Sequence, residues 1–350
     1  MDSNNKFPLF LPGKSNPANE GIKIISADLS EKVCTLGFYI TENQKAVLQT
    51  EKEFPTQEFS KFSEIVDQFI SENKFGSIDR LSVGFPGPVI NNQAESSRLP
   101  WSLDIEVLKN ETQIPEVFLI NDLEASAYGL ANISEECLIP VNKIETPSTG
   151  NLAILSPGNG LGEAGLFFDG KCLRPFATEG GHSEFSPRTT VEVEFYQFLN
   201  KIYGIVSWES VLSKNGLFNI FRFLRDEKRH PMSEKFIAKM QSDEEFSNVL
   251  YSSAVEDNEQ ICTIAINTFL EFLAREANSL VLKLKATGGL LIGGELPILF
   301  KDYIDNKRFY DKFMISDKMD RLLKGIPIYL LVNEKMIMNG AATYAGFSQE

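Results

Sequence analysis

Short apolar runs and helix-spaced apolar stripes alternate along this chain. Residues 1–20 are rich in Asn, Pro, Ser and Gly and predict a flexible or loosely draped arm. From Gly21 the pattern changes: GIKIISADLS and VCTLGFYI read as paired strands around a turn at Ser30–Lys32. In FSKFSEIVDQFISENK, Phe62, Ile65, Val66, Phe69 and Ile70 fall at helical spacing and predict an amphipathic helix. RLSVGFPGPVI is a strand stopped by Pro86-Gly87-Pro88, and VFLINDLEASAYGLA passes from strand to helix at Asn121-Asp122. NLAILSPGNGLGEAGLFFDG reads as two strands joined by a glycine-rich turn. Helices follow between about Thr190 and Lys285, including VEFYQFLNKIYG and IAINTFLEFLAREANSLVLKLK. GGLLIGGELP is a late strand, and IPIYLLVNEKMIMNGAATYAGF closes as strand, turn and small-residue helix. Alternating strands and helices indicate an α/β protein with helices packed on sheets.

At 350 residues the chain is long enough for two domains of roughly 100–200 residues each. With 34 Lys+Arg against 48 Asp+Glu the net charge is −14, which opposes nucleic-acid phosphates and anionic membrane surfaces. Neither nucleic acid nor membrane is an expected partner. No stretch reaches the ~18–20 apolar residues of a membrane helix, and the start lacks the basic, continuously apolar pattern of a secretory signal. Cys34, Cys137, Cys172 and Cys262 are far apart, with no CxxC pair and two histidines in the chain. That excludes the usual zinc-ribbon and disulfide spacings, and a cytoplasmic location is expected.

Three short segments carry candidate chemistry. Asn121-Asp122 follows the apolar run Val117–Ile120, and a carboxylate at the carboxyl end of a buried strand stands where α/β sheets place ligands. Asp122 equally suits an N-cap of the helix that follows. In Glu179-Gly180-Gly181-His182, two glycines let a carboxylate and an imidazole converge on one small polyol; a surface turn is the plainer alternative. His230, in RDEKRHP, reads as solvated surface. The loop Pro157–Gly162 exposes backbone N–H groups suited to phosphate. Its GxGxxG, from Gly160 to Gly165, leads into a strand rather than a helix, so it is not a dinucleotide fingerprint. Gly288-Gly289, Gly293-Gly294 and Asn339–Ala342 allow a flat ring to approach the backbone, or simply tight packing.

Taken in order, LINDLEASA, PGNGLGEAGL, TEGGHSEFSP, WESVLSKNGL, LIGGELP and NGAATYAG resemble the bacterial glucokinases, within the hexokinase-like, actin-like sugar kinases, from about Ile24 to Gly346. The cysteine-rich zinc motif of the related repressor/kinase sugar family is absent. The resemblance implies a two-lobed, actin-like and ribonuclease H-like α/β fold with mixed sheets and a central cleft. It implies a small domain over 21–132 completed by 333–350, and a large domain over 133–332. It further implies ATP-dependent phosphorylation of glucose at the 6-hydroxyl, feeding glycolysis, with Asp122 as general base and Asn121, Glu179, His182 and Glu209 holding the other hydroxyls. ATP would meet Asp28, Ser30, Lys32, Gly158, Asn159, Gly160, Gly293 and Gly294, with Asp28 near Mg²⁺. A homodimer is the common expectation for such a fold.

The chain departs from the family on the phosphate side. Where the family reads Asp-x-Gly-Gly-Thr with an arginine three residues on, this chain has Asp28-Leu29-Ser30-Glu31-Lys32 and Thr35. The family's threonine before Gly160 is Asn159. Three outcomes stay open: Ser30, Lys32 and Asn159 rebuild a phosphate site; another phosphoryl donor is used; or the scaffold serves as a sugar-binding sensor.

Overall fold

The computed structural model describes residues 6–145 and 148–349; residues 1–5 of the expected arm lie outside them. The chain divides into two compact units, Met1–Glu135 with Ala164–Ala177 and Asn333–Glu350, and Glu136–Glu163 with Thr178–Val332. The segment 164–177 therefore groups with the first unit, where the sequence had suggested an unbroken 133–332. Backbone pairing supplies the reason: Phe10 N–H donates to Leu173 O at 2.9 Å and Leu173 N–H to Pro8 O at 2.7 Å.

In the first unit, strands β1 (Lys23–Leu29), β2 (Val33–Glu42), β3 (Lys45–Pro55) and β4 (Arg80–Phe85) precede three two-residue strands, β5 (Val89–Ile90), β6 (Gln93–Ala94) and β7 (Leu103–Asp104), which form a small sheet. Strands β1 to β4 with β8 (Glu116–Asn121) make a five-stranded sheet in the order β3-β2-β1-β4-β8. It is mixed, with β1, β4 and β8 parallel and β2 and β3 antiparallel. The apolar pattern missed β3, because this edge strand buries only Phe54 and carries Gln49, Glu51, Lys52 and Glu53. Period-2 alternation on β1 sends Ile25, Ala27 and Leu29 into a core with helices α1 (Phe62–Asn73) and α2 (Ile105–Thr112). Ile24 and Ser26 face the C-terminal helix, Met336–Phe347, and Ser26 Oγ donates to Met338 O at 2.7 Å. Helix α3 (Asp122–Gly129) packs on that same helix through Ala125 and Ala341, with Gly340 and Ala342 also buried. Its small residues serve close packing.

The arm is not loosely draped over its described part. Phe7, Leu9 and Leu11 are buried, and the Arg174 guanidinium lies 3.6 Å over the Phe10 ring. The prolines that discourage a helix here shape two 3₁₀ turns, Pro12–Ser15 and Pro17–Asn19. A half-buried arginine ties the arm to the chain's end. Arg80 donates to Ala345 O at 2.7 Å and Asn19 Oδ1 at 3.1 Å, and pairs with Glu116 at 2.6 Å.

The second unit holds β9 (Leu138–Pro140), β10 (Leu152–Pro157), β11 (Leu161–Phe168), β12 (Leu173–Thr178), β13 (Gly289–Ile292) and β14 (Ile328–Leu331), ordered β12-β11-β10-β13-β14-β9. The chain leaves this unit within β11 and re-enters within β12. Its helices are α4 (Thr190–Tyr203), α5 (Lys214–Asp226), α6 (Glu234–Lys239), α7 (Phe246–Val255), α8 (Gln260–Leu284), α9 (Glu295–Leu299), α10 (Asn306–Phe313) and α11 (Asp320–Leu323); the C-terminal helix of the first unit is α12. Helix α8 is the centre of the core, packing on α5, α7, α10 and β10, and apolar through most of its length. Among the described residues no helix is long and apolar enough to cross a membrane. His230 is half-buried rather than solvated.

Arg80→Ala should lower unfolding stability by about 2 kcal/mol, since hydrogen bonds from a charged donor are lost from partly buried acceptors. Arg80→Lys should recover only part, lacking the planar fork. An unchanged denaturant midpoint in Arg80→Ala would show that the clamp is idle.

Candidate functional site

In the first unit the candidate residues gather at the carboxyl edge of the parallel strands. Asp28 pairs with Gly84 in register and Gly84 with Ile120, so Asp28 and the Asn121-Asp122 junction leave the same sheet edge two strands apart. Asn121, not Asp122, is the N-cap of α3. Its Oδ1 accepts from Leu123 N at 2.9 Å and Glu124 N at 3.1 Å, while its Nδ2 donates to Gly87 O at 3.1 Å. Asn121 is the last extended residue and the helix begins at Asp122, so the Asn121 side chain, rather than the next, reaches the exposed N–H groups. Asp122 becomes the first helical residue, half-buried, its Oδ1 accepting from Leu123 N at 2.8 Å.

The turn between β1 and β2 has a different internal economy from a glycine loop. Ser30 Oγ donates to Val33 O at 2.7 Å and accepts from Val33 N at 3.1 Å. A hydroxyl has one hydrogen, so that of Ser30 is committed to its own turn and is not offered to phosphate. Thr56 fastens the turn from outside, donating from Oγ1 to Ser30 O at 2.8 Å and from N–H to Lys32 O at 3.0 Å. Glu31 and Lys32 are exposed at its tip.

In the second unit the sequence-separated candidates converge on β11. The turn Gly158–Gly160 joins β10 to β11, closed by Gly158 N–H donating to Gly160 O at 2.8 Å, with Asn159 exposed at its tip. Glu179 precedes a 3₁₀ turn, Gly180–His182, that lies hard against β11. A Cβ on Gly180 would fall 1.9 Å from Glu163 Oε2, and one on Gly181 2.2 Å from Leu161 O. Neither position has room for a side chain. Glu209 bonds to both partners: its N–H donates to Gly181 O at 2.8 Å, and its Oε2 accepts from Leu161 N at 2.9 Å. Glu179 and His182 are exposed and Glu209 half-buried.

The Gly158–Gly160 turn and the second glycine pair are also neighbours. Gly293 N–H donates to Leu155 O at 2.9 Å, and Gly294 opens α9 at φ +87°, a left-handed conformation suited to glycine. Lys214 N–H donates to Gly158 O at 2.8 Å, and its ammonium pairs with Glu245 at 2.8 Å and with Glu295. Burial opposes that ammonium's charge, but the two carboxylates prevail and raise its pKa.

Lys214 escaped the sequence reading, as did two residues of α8. Arg275, almost fully buried, pairs with Glu192 at 2.5 Å, donates to Ser186 O at 2.6 Å and lies 5.7 Å from the Trp208 ring centre. It thus braces the stretch of chain between the Glu179–His182 turn and Glu209. Glu276 beside it is fully buried. A charged pair inside the apolar stripe of α8 was the available signal. Among the described residues no three His, Cys, Asp or Glu side chains are grouped to hold a metal ion.

The sequence profile of the Glucokinase family matches residues 26–347. The chain belongs to the glucokinase family. A glucokinase of Nostoc sp. is 30% identical over 84% of this chain and 90% of its own. The fold is that of solved sugar kinases. Glucokinase from Balamuthia mandrillaris, in complex with glucose, matches with a TM-score of 0.76 at 17% identity, over 93% of each chain. A ROK family glucokinase from Streptomyces griseus, in complex with glucose and AMPPNP, matches at 0.61 and 14%, over 92% of this chain and 98% of its own. The expected α/β fold with mixed sheets is the one observed, and the chain is a sugar kinase by family.

Gly181→Ala should push the turn off Leu161 and weaken binding of glucose, the family's sugar, by roughly tenfold or more, with a stability loss of about 1–3 kcal/mol from overpacking. Calorimetric titration with glucose checks it; wild-type affinity would mean that the turn does not carry the sugar contacts.

Proposed function

We propose that this protein transfers the γ-phosphoryl group of ATP to the 6-hydroxyl of glucose, with Asp122 as general base. The strongest support is the placement of Asp122 as first residue of α3, at the carboxyl edge of β8, beside an Asn121 side chain locked by three hydrogen bonds. A carboxylate so fixed can orient a hydroxyl and take its proton, and positioning accounts for most of catalysis in phosphoryl transfer. In this reading Glu179, His182 and Glu209, with Asn121, hold the remaining hydroxyls; a site so built rejects analogues that lack one. Asn121 has one N–H left for that task after its bond to Gly87, so it acts as a donor.

Gly158, Asn159, Gly160, Gly293 and Gly294 form the nucleotide side, and the AMPPNP complex of the Streptomyces griseus relative is consistent with ATP as donor. Asp28 offers a single hard oxygen ligand at the end of β1, which suits Mg²⁺, an ion usually held by one or two carboxylates together with substrate phosphates and water. Mg²⁺ there would offset phosphate charge. A cytoplasmic location, where ATP is plentiful, belongs to the same proposal.

The committed hydroxyl of Ser30 and the exposed Glu31 favour a second reading: a sugar-binding protein with weak transfer from ATP, or one that takes another phosphoryl donor. Glucose 6-phosphate formation, measured across a donor panel alongside glucose binding, separates the two. Asp122→Ala should lower kcat by about 10²–10⁴-fold and leave glucose affinity within a few fold. Normal turnover in that variant would end the assignment of the base.

A further inference from the structure

Beneath the Glu179–His182 turn lies a pair of acids that the reaction itself does not use. Glu163 points from β11 into the core with 2% of its surface exposed, and Glu276 reaches it from α8 with none. Glu163 Oε2 is the atom against which Gly180 packs. Glu163 Oε1 and Glu276 Oε2 are sealed from solvent and find no donor among the described residues. The two buried carboxyl groups are close enough to act on each other's charge. Two acceptors can share a hydrogen bond only if one of them is protonated.

The surrounding charge decides which. Lys283, one helical stretch on along α8, pairs with Glu276 at 3.1 Å, and Arg275 adds further positive charge on the same side while bound to Glu192 of α4. Among the described residues these two are the outside charges that act on the pair. Burial raises both carboxyls, but Lys283 and Arg275 pull that of Glu276 back down, which makes Glu276 the ionised member and Glu163 the proton carrier. Burial above all, and then the negative charge of Glu276, raise the Glu163 carboxyl well above its usual range, against a smaller opposing effect of Lys283.

We propose that Glu163 and Glu276 share one buried proton and through it set the seat of the Gly180 turn, making Glu163 a positioning residue for the sugar contacts of Glu179 and His182. The proposal rests on those two residues binding glucose. Loss of the proton leaves two adjacent buried carboxylates, which repel; the side chain against Gly180 then moves, and the turn with it. The sign follows from linkage. A carboxyl whose pKa is raised on folding has its full stability below the ordinary Glu range and loses it as pH rises through the raised value.

The test compares wild type with Glu163→Gln, which keeps size and donor but cannot ionise. Glucose dissociation constants are read from mildly acidic to alkaline buffer by calorimetry, and thermal midpoints are read without sugar. Wild-type affinity should weaken by about tenfold towards alkaline pH, the size of one unit of pKa coupling. Glu163→Gln should stay near the neutral wild-type value throughout and melt higher than wild type in alkaline buffer. A variant that follows the wild-type pH curve in both readouts overturns the proposal, as does a folded variant that has lost glucose at every pH. Should Glu163→Gln not fold, Glu276→Gln provides the same comparison: it removes the repelling charge and should flatten the alkaline loss, and a retained loss overturns the proposal. Wild type that binds no glucose at any pH refutes the sugar assignment and the positioning role with it, while the melting comparison still decides whether the proton is shared.

Discussion

The Glu209 carboxylate accepts the Leu161 N–H at 2.9 Å while the Glu209 N–H donates to Gly181 O at 2.8 Å. These two bonds fasten three chain segments that are distant in sequence: the glycine-rich turn before β11, the Glu179–His182 turn, and the approach to α5. Packing makes the arrangement stiff. Gly180 and Gly181 lie on Glu163 and Leu161 with no space for a Cβ, so the turn has one height above the strand. The turn that carries a carboxylate and an imidazole is thus held in place by backbone contact. Preorganisation of this kind is what a polyol site needs, since each misplaced acceptor forfeits a hydrogen bond.

Helix α8 supports that arrangement from the core. Its apolar face packs on β10 and the neighbouring helices, yet two consecutive charged residues break the stripe on the side towards the candidate site. Arg275 holds Ser186 O and the aromatic rings of Phe185 and Trp208, and Glu276 meets Glu163 under Gly180. Buried charge without partners would be costly. Glu192 and Lys283 provide the compensation.

The proposed sugar-side and phosphate-side features are built differently. The Asn121 cap and the Glu179–Glu209 cluster are closely tied into strands and helices. The β1–β2 turn has instead exchanged small, open backbone for a serine bonded to its own turn and two exposed charges of opposite sign. Lys214, whose N–H is bonded to the Gly158 carbonyl, brings a further cation beside the other loop, already matched by Glu245 and Glu295. Charge on this side is thus delivered by side chains where the family pattern relies on backbone.

Strand and helix periodicity in the sequence already determined the α/β class, the junction at Asn121-Asp122 and the strand that follows Gly160, because burial of one face imposes period 2 or 3.6 on local residues. The ordered motifs from LINDLEASA to NGAATYAG carried the family. Local pattern could not show β3, whose edge position buries one apolar residue and leaves its outer face polar. Nor could it show the docking of Phe7, Leu9 and Leu11, since the partner strand lies over 160 residues away along the chain. That Asn121 caps α3, where the sequence suggested Asp122, turned on where the helix begins, and the commitment of Ser30 on which atoms its turn brings within reach. In sequence Glu163 is a single charge in a glycine-rich strand and Arg275-Glu276 a charged pair in an apolar helix, more than a hundred residues apart. Only the tertiary structure, by placing β11, α8 and the Gly180 turn in contact, decided that they meet, because the pairing of buried charges depends on distances in space that sequence separation does not encode.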